Sequence, residues 1–242
     1  AAGAWLAVAA VAVVRRRWPA WSVVVLAGVA VGLKSTNLVA VGAMALVLLV
    51  GAVRDQARRR ALVATAVGCV AAVAGVTFAW LALLGPGRPG LIPMEERFKV
   101  TGLTGWMVAS NLDAAVPPTK GIYDAVLGAG AWTLAMGAVL GWLMAAGPLL
   151  AAVGVPSGTD DEVRSVAGST LLAAFAVGPV FVVVQYLLSS TYVEIPGRYG
   201  LSLLPAMATV TLAVASPRKW RLWASLTIVG TALVMIQLVS SI

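Results

Sequence analysis

The sequence predicts an all-α, polytopic helical membrane protein with about seven to eight hydrophobic segments. Three observations predict it. Apolar residues make up 61% of the 242 residues and charged residues 11%, with mean hydropathy +0.97; soluble domains lie near one half and one quarter. Apolar runs recur at roughly the 20 residues needed to cross about 30 Å of hydrocarbon. The cations, which give a net charge of +8, sit in short clusters between those runs. That pattern encodes membrane topology and is not a nucleic-acid footprint. The same composition excludes a soluble globular domain and a disordered chain.

Residues 1–14 are apolar and end at Arg15, Arg16 and Arg17. They read as the tail of a longer helix, and the chain as a fragment of a longer protein. Residues 21–33 and 38–53 are short, about 20 and 24 Å as helices. They predict a helical hairpin over 21–53 with the polar tip Lys34-Ser35-Thr36-Asn37. A polar turn at membrane depth must be buried in protein or face a wet cavity. Residues 61–84 carry no charge and predict a full span. Residues 85–123 predict an extramembrane loop that opens on the turn-forming Gly85-Pro86-Gly87-Arg88-Pro89-Gly90. Within it, Met94 to Leu112 predicts an interfacial amphipathic helix with Phe98, Leu103, Trp106 and Met107 toward lipid. Pro117-Pro118 ends that helix. Further spans are predicted at 125–150, 165–190 and 222–241, with a shorter one at 200–216. All of 1–242 reads as one transmembrane domain.

The positive-inside rule orients these segments. The clusters at 15–17, 54–60 and 218–221, and the connector Asp160-Asp161-Glu162-Val163-Arg164, fall on the cytoplasmic side. The loops 85–123 and 191–199 then face outward, and the expected location is the plasma membrane. Trp18, Trp21, Trp220 and Trp223 fall in the inner aromatic belt.

There is no histidine, which excludes His-based zinc sites, Ser-His-Asp triads and His general bases. Cys69 is the single cysteine, so no internal disulfide forms, and it reads as a packing residue. Gly85, Gly87 and Gly90 match the letters of a dinucleotide fingerprint, but no strand precedes them, and Pro86 and Pro89 remove amides a phosphate would need. Gly28-x-x-x-Gly32 and Gly137-x-x-x-Gly141 read as close helix-packing faces.

The stretch Thr191 to Pro205 carries the most chemical information. Glu194 and Arg198 flank a Pro196-Gly197 break at the outer end of a span, with Tyr199 following. Arg198 stands at the start of the next helix, where the dipole opposes a cation. A phosphate or pyrophosphate beside it would compensate, because Arg binds such groups bidentately. An interfacial Arg198–Glu194 pair that only anchors the helix is the alternative. Lys34 at the hairpin tip carries the same pair of readings, a site within the membrane or a side chain snorkelling to the interface. Asp113 and Asp124 border the outer loop as a base or a cation ligand, or as solvated loop carboxylates. Glu95, Glu96, Arg97 and Lys99 read as the polar face of the interfacial helix.

The hairpin Gly32-Leu33-Lys34-Ser35-Thr36-Asn37-Leu38 resembles the Lys- and Thr-bearing hairpin common in multi-spanning GT-C glycosyltransferases. Pro196-Gly197-Arg198-Tyr199 with Leu203-Leu204-Pro205 is similar to the Gly-Arg-Tyr and Pro signature of a bacterial membrane family of unknown function grouped near those enzymes. The Ala-, Val- and Arg-rich composition suits an actinobacterial member. The resemblance implies transfer of a sugar from a polyprenyl-phosphate carrier on the outer face, in cell-envelope glycan assembly. It implies a catalytic carboxylate upstream of Ala1 and no bound cofactor in this chain, with a divalent cation possible only in the full-length protein. It makes Lys34 and Arg198 carrier-phosphate contacts, with Glu194 and Tyr199 beside them. The expected partners are the lipid bilayer and the polyprenyl-phosphate sugar, with no nucleic acid. A transporter or lipid-carrier flippase, with broken helices and buried charges, fits the same features. So does a non-catalytic scaffold whose charges are all anchors.

Overall fold

The computed structural model describes residues 2–34, 37–84, 94–112, 114–116, 145–154, 159–195 and 197–214. The described residues are helical and contain no strand; the nearest feature is an isolated antiparallel bridge between Lys99 and Thr191. The helices are α1 (Ala2–Val14), α2 (Ala20–Leu33), α3 (Leu38–Arg54), α4 (Arg59–Leu84), α5 (Met94–Arg97), α6 (Gly105–Ala109), α7 (Asp161–Ser189) and α8 (Leu204–Val214). A 3-10 turn, Gln56–Arg58, precedes α4, and a 3-10 helix, Gly197–Leu203, precedes α8. Residues 145–152 are also helical. The spans expected at 222–241 and over most of 125–150 lie outside the described residues, as do Gly137-x-x-x-Gly141, Asp113 and Asp124.

Two stretches, Gln56–Trp80 and Asp161–Ser189, are long and apolar enough to cross a membrane. Ala20–Leu33, Leu38–Arg54 and Tyr199–Val214 are apolar but shorter. The expected seven to eight segments are therefore met in part among the described residues. The physical reason is that the short helices end at polar turns, and the last of them begins as 3-10 helix, with its α-helical part confined to Leu204–Val214.

α3 is the central helix. Val39, Met44, Val47 and Leu48 are all buried, and the helix packs on α1, α4 and α7. A helix apolar all round belongs inside a protein or a bilayer, and α3 is inside the protein. α2 and α3 do not form a tightly packed hairpin, because both lie mainly against α4. Sequence places the small residues that allow this. Gly68 of α4 faces Val24, and Gly28 and Gly32 of α2 face Ala72 and Val76. The pairs rise together along both chains, so α2 and α4 are parallel and closely packed, as small residues permit.

One end of the bundle gathers the charges. The chain leaves α1 through Arg16 in the left-handed region (φ 60), with Arg17 N–H bonded to Ala12 and Arg16 N–H to Val13. This is a Schellman stop that satisfies the terminal carbonyls. Arg58 donates to the carbonyls of Val14 and Val13 at 3.0 and 3.2 Å. Arg15 pairs bidentately with Glu162 at 3.0 and 3.1 Å, and Asp160 lies 3.6 Å away. Arg16 meets Asp55 at 3.4 Å and Arg54 meets Asp161 at 3.8 Å. Asp161 and Glu162 also stand in the first turn of α7, where the helix dipole favours acids. The carboxylates hold the Arg15 pKa above its ordinary value, chiefly through the hydrogen bond to Glu162. Of the clusters expected on one side, 15–17, 54–60 and 160–164 share this end, and 218–221 lies outside the described residues.

Candidate functional site

The opposite end carries the residues singled out from sequence. It holds the turn between α2 and α3, the C-terminal end of α7, and two irregular segments that fold together. Val100 N–H donates to Ser190 at 3.0 Å and Tyr192 N–H to Phe98 at 2.9 Å, which zips 98–100 against 190–192. The zip interrupts the interfacial helix expected over Met94–Leu112: the structure has the short α5 and α6 instead. Thr104 starts α6, its hydroxyl accepting from Met107 N–H at 3.3 Å. Trp106 is exposed as expected, but Leu103 turns inward onto a small cluster with Val182 and Ile195.

Asn111 joins the two segments. It is fully buried, its side-chain carbonyl accepts from Ile195 N–H at 2.9 Å, and its amide donates to Met107 at 2.9 Å. Tyr192 Oη and Ser110 Oγ complete the cluster at 3.4 Å. Burying an amide costs free energy unless it is paired in this way. Two glycines admit the backbone of this segment: a Cβ at Gly178 would collide with the Asn111 carbonyl, and one at Gly200 with the Ala115 carbonyl. Gly178 lies 11 residues before the last residue of α7, so the segment reaches about 16 Å down that helix.

Tyr199 is half-buried in the 3-10 helix, its ring tilted 51° against Phe181 at 6.0 Å, and its carbonyl accepts from Ser202 Oγ at 3.0 Å. The Arg198 backbone lies in the same 3-10 helix, one residue after its start, which matches the expected position at a helix beginning. Its side chain lies outside the described residues. Glu194 is exposed, one residue before the amide held by Asn111. Lys34 is exposed at the end of α2, where its N–H donates to Ala30 and its carbonyl accepts from Asn37. Asn37 in turn donates its side-chain amide to Ala30 at 2.8 Å, so the turn is tied to α2 from both sides.

Among the described residues no group of three or more His, Cys, Asp or Glu could hold a metal ion. Two clefts, of about 300 and 270 Å³, open at the clasp end, the first lined by Arg15 and Glu162 and the second by Arg54, Asp55 and Glu162, away from Lys34, Glu194 and Tyr199. The structure thus brings Glu194, Arg198 and Tyr199 into one short segment pinned by Asn111 and Gly200, and places Lys34 at the same end of the bundle. Sequence reasoning missed Asn111 as the hub. Its signal was an amide inside a stretch otherwise read as a lipid-facing helix.

Comparison with known protein families, with curated proteins and with solved structures finds no match to this chain.

Proposed function

We propose that this chain is the membrane-embedded part of a GT-C-like glycosyltransferase that uses a polyprenyl-phosphate-linked sugar on the outer face of the plasma membrane. On this reading the clasp end is cytoplasmic, and Lys34 and Arg198 contact the carrier phosphate. The observation that carries the reading is the folded-back segment Ile195–Leu203. Its 3-10 helix Gly197–Leu203 follows the Ile195 amide held by Asn111 and stands among apolar helices, and non-α backbone is tolerated at membrane depth where it is buried in protein or lines a wet cavity. An anionic headgroup beside an apolar groove needs fixed cations on a preorganised frame. The bilayer part of the reading is supported by the broad exposed apolar faces of α4 and α7, such as Phe78 at 71% and Leu187 at 74% exposure.

The test is sugar transfer from a radiolabelled polyprenyl-phosphate donor in membranes holding the full-length protein. Arg198→Ala lowers turnover by about 100-fold or more, the size expected when a charged group aimed at the transition state is removed. Helical content and detergent stability stay unchanged, and Arg198→Lys recovers part of the rate. Turnover unchanged in both Arg198→Ala and Lys34→Met overturns the roles given to these cations, and no transfer by the unmodified protein overturns the glycosyltransferase reading and leaves the scaffold reading.

A further inference from the structure

The clasp uses some arginines and leaves others. Arg15, Arg16, Arg54 and Arg58 each have a carboxylate or carbonyl partner. Arg59 and Arg60 are exposed, and their guanidinium groups have no partner among the described residues. Both stand in the first turn of α4, which contains no acid. The helix dipole therefore works against them as well.

What lies below them is apolar and open. Arg60, Val63 and Val67 follow one another at three and four residues, so they form one stripe of α4. Trp21, Val25 and Val29 form the corresponding stripe of α2, and Trp18 precedes it in the α1–α2 turn. Exposure is 39% at Trp18, 67% at Trp21, 52% at Val25, 54% at Val29 and 61% at Val67. The stripes flank the seam where Gly28 meets Ala72 and Gly68 meets Val24. Because α2 and α4 are parallel and offset by 44 residues in that seam, Arg59 and Arg60 stand about one and a half turns beyond Trp21, toward the α1–α2 turn. The order along the seam is cation, indole, then aliphatic side chains over closely packed small residues. This is the order of a phospholipid: phosphate, interface, acyl chain.

We infer that the α2–α4 seam binds an anionic phospholipid of the leaflet at the clasp end, its phosphate on Arg59 and Arg60 and one acyl chain along Val25, Val29 and Val67. The inference rests on the membrane reading above, but not on the glycosyltransferase reading. Charge complementarity selects the occupant: two unpaired cations favour an anionic headgroup, and a zwitterionic one gains little.

The experiment places the full chain in nanodiscs of phosphatidylcholine mixed with phosphatidylglycerol and counts retained lipids by native mass spectrometry. Phosphatidylglycerol is enriched in the retained pool, by about fivefold for each cation near the surface. Arg59→Gln with Arg60→Gln removes the enrichment, whereas Arg59→Lys with Arg60→Lys keeps most of it. The Lys pair separates loss of charge from loss of fold. Retained lipid of bulk composition in the unmodified chain, or enrichment untouched by the Gln pair, overturns the inference. Carbonate washing distinguishes the two ways of failing: release of the chain from membranes removes the membrane reading and the inference with it. A chain that stays in the membrane without lipid selectivity removes the inference alone.

Discussion

α3 and α4 are packed neighbours built from the same residues, chiefly Ala, Val, Leu and Gly, yet they sit in opposite surroundings. α3 buries Val39, Ala43, Met44, Val47 and Leu48 against three other helices. α4 leaves Val67, Val70, Phe78 and Leu83 exposed along its length. Hydropathy cannot separate the two, because a side chain leaves water equally well for protein or for lipid. What differs is packing: a protein interior is close-packed and penalises lost volume, whereas trimming an exposed side chain leaves no cavity.

The largest effect expected from this difference follows a deletion in α3. Leu48→Ala removes a fully buried side chain and should cost about 2–5 kcal/mol. Val67→Ala, on the exposed face of α4, should change stability by less than about 0.5 kcal/mol. Reversible unfolding in mixed micelles, followed by circular dichroism, measures both. Equal losses at the two positions would break the distinction between a protein-packed and an open helix.

A smaller effect sharpens it by asking where backbone, and not side chain, is the neighbour. Gly178→Ala drives a methyl group into the Asn111 carbonyl and should cost about 1–3 kcal/mol. Gly75→Ala in α4 meets nothing within 4 Å and should gain about 0.5–1 kcal/mol from helix propensity. Opposite signs in the same unfolding assay are expected. A gain at both positions would show that the folded-back segment around Asn111 does not rest on α7.

These contrasts also mark what the sequence could reveal. Helices expected at 21–33, 38–53, 61–84 and 165–190 appear as Ala20–Leu33, Leu38–Arg54, Arg59–Leu84 and Asp161–Ser189. Long apolar runs bounded by charges or polar turns are local signals, so these were legible. The grouping of Arg15, Arg54 and the 160–162 acids at one end was legible too, because charge clusters encode the side. The fold-back at 98–116 and 190–203 was not. It depends on Asn111 meeting Ile195 across 84 positions and on two glycines that matter only because a distant carbonyl approaches them. Periodicity gave Met94–Leu112 an amphipathic helix, and the pairing of Phe98 with Tyr192 overrode it. Of the candidate site residues, Glu194, Arg198 and Tyr199 were legible as a group because they adjoin in sequence. Their joint support by Asn111 is a tertiary fact.

The smallest effect concerns the far end of α3, where the buried helix meets the ionic clasp. Arg54 is half-exposed, 3.8 Å from the Asp161 carboxylate and 3.1 Å from the Asp161 carbonyl. Exposed pairs of this kind contribute between about 0 and 1 kcal/mol. Arg54→Gln should therefore lower the unfolding midpoint slightly at low salt, far less than Leu48→Ala two turns earlier in the same helix. Added salt shortens the screening length to about 3 Å at 1 M, so the difference between variant and unmodified chain should vanish there. A loss as large as that of Leu48→Ala, or one that persists at high salt, would mean that the clasp holds α3 to α7 by more than exposed charge. The middle of α3 and its charged end would then carry comparable weight, and burial alone would no longer rank them.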